Sequence, residues 1–201
     1  MKSISVTVNE KGDGISEALA VTEKFGKDAG LERKPNLHLR LLAEEMFGML
    51  RGIAGQVKAE YWIENEDNKF ELHMKSEIDM TYALKDQLLA VSTSGKNEAS
   101  KSFMGKIKVM IADIILSSKE AMPYTMMNTA VSYPMGAVFD ETAVVWSMAL
   151  YRQDVQDHLD GNDKAHEAWD ELEKSIVANI ADDVKVKIIG DNVEMIVIKS
   201  F

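Results

Sequence analysis

The sequence predicts an α+β fold, because stretches of strand-like alternation and of helical periodicity follow one another along it. Three stretches carry that prediction. Near the start, Ile4, Val6 and Val8 alternate with Ser3, Ser5 and Thr7, the pattern of a half-buried strand. Across residues 36–54, Leu39, Leu42, Met46, Met49, Leu50 and Ile53 share one helical stripe. At the end, Val184–Ile189 and Val193–Lys199 flank Gly190-Asp191-Asn192 as a hairpin.

The intervening elements follow from their breakers. Asn9 to Gly14 is a turn, and Ser16 is the expected N-cap of a helix that runs to Ala29 and stops at Gly30. Pro35 opens the next helix, and Gly52 and Gly55 close it. Strands at Val57–Glu64 and Lys69–Lys75 surround the turn Asn65-Glu66-Asp67-Asn68, with Phe70, Leu72 and Met74 on one face. Tyr82–Val91 reads as a helix, 92–102 as an exposed polar loop, and Phe103–Leu116 as a helix with Met104, Ile107, Ile111, Ile114 and Ile115 inward. Pro123, Pro134 and Gly136 interrupt a methionine-rich segment over 119–145. Ala143–Tyr151 suits either a strand or the start of a helix. After a turn at His158–Asp163, a helix over Lys164–Ala181 would turn Trp169, Leu172, Ile176 and Ile180 inward.

Bulk properties exclude several function classes. The 201 residues suit one domain. A net charge of -10 repels phosphate backbones and anionic lipid, which argues against nucleic acid and membranes as partners. With no cysteine there is no disulfide framework, thiolate zinc site or cysteine nucleophile, and a reducing, cytoplasmic setting is expected. The first residues lack the apolar run of a signal peptide, and no uncharged stretch reaches the roughly 18 residues of a membrane span.

The order strand, helix, helix, strand, strand, loop, helix, and finally a helix leading into a hairpin resembles the GHKL fold. That is the ATP-binding domain of histidine kinases, Hsp90, DNA gyrase and the anti-sigma-factor serine kinases, and the small bacterial anti-sigma kinases are similar in length and layout. Residues 1–118 and about 168–199 carry the resemblance, including Ser175–Val186 before the last hairpin. It implies a two-layer sandwich with helices on one face of a mixed, mainly antiparallel sheet. It also implies one domain over 1–201 with an insertion at about 119–167, ATP as ligand, and a regulatory role with weak or no kinase activity.

In that family the second helix carries a glutamate, and four residues later an asparagine that holds Mg²⁺. Leu41-Leu42-Ala43-Glu44-Glu45-Met46-Phe47-Gly48 resembles this helix, with Glu44 as the implied catalytic base and Gly48 where the Mg²⁺ ligand would stand. The family's Asp-x-Gly adenine motif falls on Ser76 and Ile78, so Glu77 or Asp79 would replace the aspartate only through a displaced loop. Ser94, Gly95, Lys96, Lys101, Ser102 and Gly105, running into a helix start, are the implied phosphate contacts. Gly95-Lys96 is not a Walker A motif, since Asn97 follows Lys96. Read from the residues alone, Glu44 and Glu45 also suit the solvent face of a helix, and 92–105 a plain surface loop.

Two other classes compete. Met122, Met126, Met127 and Met135 suit an adaptable groove for a protein partner or a second copy of the chain, which would make it a non-enzymatic interaction module, or a pocket that senses a small molecule. His158, Asp160, Asp163, His166 and Asp170 lie close enough in sequence for a metal, but no His-Glu-x-x-His or EF-hand spacing is present and a solvated acidic turn is the simpler reading.

Overall fold

The computed structural model describes residues 1–50, 57–83, 103–119, 137–139 and 143–201. In chain order these form β1 (Val6–Asn9), α1 (Ile15–Asp28), α2 (Arg33–Leu50), β2 (Lys58–Glu66), β3 (Lys69–Glu77) and α3 (Phe103–Lys119). There follow β4 (Ala137–Phe139), β5 (Val144–Ser147), α4 (Met148–Asp157), α5 (Asp163–Lys174), α6 (Ile176–Ile180), β6 (Asp183–Ile189) and β7 (Asn192–Ser200). The fold is α+β. One open sheet takes the order β1-β2-β3-β7-β6-β5-β4, and every pairing in it is antiparallel. The parallel component expected of a mixed sheet is not found among the described residues.

Alternation sets which face of the sheet is dry. Val6 and Val8, Ala59, Tyr61 and Ile63, Phe70, Leu72 and Met74, Val193, Met195 and Val197, and Val184, Val186 and Ile188 all bury into one cluster. The same cluster contains Phe25 of α1, Leu39, Leu42, Met46 and Leu50 of α2, and Ile107, Ile111 and Ile115 of α3. The helices therefore cover one face. On the other, Lys58, Glu60, Lys75, Lys185 and Lys187 are exposed, which is how a one-sided antiparallel sheet reads in sequence.

Turn chemistry explains the hairpins. Asp67 and Asn68 take φ of 49° and 65°, the two left-handed positions of a type I′ turn, and Asn and Asp tolerate them. Gly190 at φ 57° opens the β6–β7 turn. At the other end of β6, the carboxylate of Asp182 accepts from Lys199 Nζ at 2.8 Å, while that of Asp183 accepts from Ala149 N at 3.0 Å at the start of α4.

Several boundaries depart from the sequence reading. Ser16 is not the N-cap of α1. Gly14 is, at φ 79°, and a side chain there would collide with the carbonyl of Thr7. Ile4 lies outside β1 and is 66% exposed, because the chain reaches the strand only at Val6. The expected 164–181 helix is two helices: Ser175 leaves helical geometry and its hydroxyl caps α6 at Ala178 N, so Ile176 is turned out and 48% exposed. Ala143–Tyr151 is both alternatives in turn, β5 and then α4 with Ser147 as N-cap. Most of the Tyr82–Val91 helix, the 92–102 loop, Ile53 and the prolines and methionines of 120–136 lie outside the described residues.

Candidate functional site

Helix α2 lies centrally over the sheet, and its three flanks have different roles. Leu39, Leu42, Ala43, Met46 and Leu50 face the strands and are buried. The second flank meets α1, where the amide of Asn36 donates to Glu23 O at 3.1 Å and sits so close to Gly26 that any side chain at 26 would strike it. One turn on, the Arg40 guanidinium bridges Glu23 of α1 and Glu44, with Nε 2.9 Å from the Glu44 carboxylate. The implied catalytic base is therefore held on the α1 side by an arginine.

Glu45 stands about 100° further round the helix, away from α1. It is half-buried and its carboxyl is shifted up, chiefly by burial and then by the neighbouring charge of Glu44. Along the last turns of α2, Lys108 of α3 brings its Nζ to 2.9 Å from the Gly48 carbonyl oxygen. Burial lowers the Lys108 ammonium to about 8. Gly48 is exposed, and a Cβ built on it would meet nothing within 4 Å. Lys108 and the Gly48 carbonyl thus join α3 to the end of α2, with the outer side of Gly48 open.

The start of α3 is anchored by an aromatic triangle. The ring of Phe103 lies 6.0 Å from Trp146 of β5 and 6.1 Å from Tyr151 of α4, and Trp146 and Tyr151 are 6.0 Å apart. Gly105 is buried in the first turn of this helix. Ser76 is buried on the helix-facing side of β3, between Ala59 and Val193. Past the strand, Ile78 N donates to Asp191 O at 2.8 Å, and Ile78 and Met80 are both buried with Asp79 exposed between them. The backbone tucks under at the position where the family has a glycine. Asp79 is exposed just past β3, and Ser76 is buried within it.

Of the implied site residues, Gly48 and Gly105 belong to the two helices that form this junction, and Ser76 lies on the face of the sheet that those helices cover. Glu44 is turned to α1. Ser94, Gly95, Lys96, Lys101 and Ser102 lie outside the described residues. Sequence reasoning gave Glu45 only a place on the solvent face of the helix and passed over Lys108. Both had signals: Glu45 follows Leu41 and Leu42 on the helix row that Arg40 does not share, and Lys108 is a lone charge inside the apolar run from Ile107 to Ile111.

Among the described residues, the opposite face of the sheet carries a further polar cluster. Trp62 stacks on His73 at 4.8 Å with rings 4° from parallel, and Lys2 lies 4.9 Å over the indole. Glu71 and Glu194 flank the imidazole at 3.5 and 3.6 Å. The acidic turn is open to solvent: His158, Asp160, Asp163, His166 and Asp170 are all exposed, with His158 Nδ1 2.8 Å from Asp154 O. Among the described residues no group of three or more His, Asp or Glu is arranged to hold a metal ion. No helix among them is long and apolar enough to cross a membrane.

The chain matches no protein-family model, no curated protein and no solved structure.

Proposed function

We propose that this chain is a GHKL-type nucleotide-binding domain with a regulatory role, anti-sigma-like in layout, that binds ATP and transfers its phosphoryl group weakly or not at all. The observation that supports the reading is the α2–α3 junction. There a lysine ammonium is held against the C-terminal half of α2 beside the open position of Gly48, and the half-buried carboxylate of Glu45 stands one turn earlier on the same helix. Phosphate groups favour such a place, since a lysine supplies positive charge and the start of α3 carries the positive end of its helix dipole. The adenine would lie toward Ser76, with Asp79 at the rim.

Weak chemistry follows from the same residues. A base must reach the attacking oxygen, and Glu44 is already committed to Arg40, so the reading gives that position to Glu45. Gly48 offers no metal ligand, and in-line phosphoryl transfer depends on a cation bridging the phosphates. A protein partner or a second copy of the chain would read the bound state.

Calorimetric titration of the full chain with ATP and with ADP tests the proposal. Saturable binding in the micromolar to low millimolar range is the expected outcome. No heat and no thermal shift at millimolar nucleotide would remove the nucleotide reading.

A further inference from the structure

We propose that the face of the sheet opposite the helices is a docking surface for a second copy of this chain, packed face to face about a two-fold axis between β3 and β7. The inference does not depend on nucleotide binding. Strand register carries it. Glu60 of β2, Lys75 of β3, Glu194 of β7 and Lys187 of β6 are cross-strand neighbours in one row on that face. Their charges alternate in sign along the row. A two-fold axis parallel to the strands and midway between β3 and β7 reverses it. Glu60 then stands opposite Lys187 of the second copy, and Lys75 opposite its Glu194, so the row is complementary to itself.

The neighbouring row agrees. Trp62, His73, Ile196 and Lys185 follow one another across the same four strands. Under the same axis His73 meets Ile196, and the indole of Trp62 meets the aliphatic stem of Lys185. Trp62 and Ile196 are only half-buried within one chain, so docking removes apolar surface that is still wet. Glu60, Lys75 and Lys187 are exposed, and among the described residues they form no ion pair within the chain, although each stands beside an opposite charge. Facing sheets pack about 10 Å apart, a gap that one lysine and one glutamate span together. A hollow of about 360 Å³ between Lys75, Lys187, Ile189 and Asn192 gives an incoming Glu60 carboxylate room beside two ammonium groups.

Charge also selects the occupant. Two copies of a chain at -10 repel except where their charges balance, and these two rows hold three lysines against two glutamates. The next row puts Glu64 opposite Asp183, each already engaged within its own chain by Lys2 and by Ser147, so the complementary area ends there. Four strands of this length cover on the order of 500 Å² per copy, the size of a weak, reversible interface.

Sedimentation equilibrium of the full chain up to about 1 mM tests the proposal. The expected result is a reversible dimer with a Kd of about 10–500 µM in low salt, weakened about tenfold or more in about 0.5 M NaCl. The salt comparison needs no variant. Glu60→Lys and Lys187→Glu should each weaken self-association about tenfold or more, with thermal melts confirming that both are folded. An equimolar mixture of the two should dimerise at least as tightly as wild type, because each reversed charge meets its opposite on the other chain. Within one chain β3 and β7 separate the two positions, so no internal contact can produce that rescue. A wild type that stays monomeric, a dimer indifferent to salt and to both reversals, or a mixture no tighter than either variant alone would overturn the proposal.

Discussion

Glu44 and Glu45 are adjacent in sequence and differ in everything their environment gives them. Arg40 holds Glu44 in the open, where an ion pair contributes little. Glu45 has its carboxyl shifted up by burial first and by Glu44 second. The direction for stability follows. With the folded value raised above the unfolded 4.5, the neutral form costs nothing at low pH, and stability is lost as pH rises through the folded value. Glu45→Gln should therefore raise the urea midpoint at pH 7 and make no difference near pH 4. Glu44→Gln should do little at either. Urea unfolding of both variants at pH 4, 5.5 and 7 checks this, and equal responses would mean the two acids share one environment. A residue kept at some cost to stability is what a ligand site contains.

Glycines show how elements are constrained. Gly48 lies in the last turns of α2 in open space, so nothing in the packing requires it. Gly48→Ala should stabilise the protein by about 0.5–1 kcal/mol, the ordinary gain of alanine over glycine within a helix. Gly26→Ala should destabilise by about 1–3 kcal/mol, because its Cβ would be driven into Asn36 where α1 crosses α2. Thermal melts of the two variants should move in opposite directions. Elements also show how far the sequence could be read. The β2–β3 hairpin was legible because Asp67-Asn68 are the residues its turn geometry selects. The α5–α6 break was not, because Trp169, Leu172, Ile176 and Ile180 keep an unbroken helical period and only the hydroxyl of Ser175 interrupts it. The start of α1 was misassigned for a similar reason: a serine at 16 is a good cap in general, but the close approach of Thr7 demands Gly14.

Among the described residues, one face of the sheet is covered by helices and the other is bare, and the candidate site belongs to the covered side. That division was legible from alternation along the strands. The site was legible only in part: periodicity marks which residues leave the core, but not which neighbouring helix they meet, so Glu45 and Lys108 emerged only once α1 and α3 were placed on opposite flanks of α2. The three tryptophans report on the two faces separately. Trp62 stacks on His73 on the bare face, whereas Trp146 packs against Phe103 at the start of α3, and the indole of Trp169 donates to Glu173 within α5. Each indole N–H gives one resolved resonance in a nitrogen-15 correlation spectrum. Titration with ATP should shift the Trp146 resonance in a saturable manner, since Phe103 transmits any change at the helix start directly to that ring, and should leave Trp62 unmoved. The reverse pattern, with Trp62 shifting and Trp146 fixed, would place the ligand on the bare face beside His73 and remove the α2–α3 junction as its site.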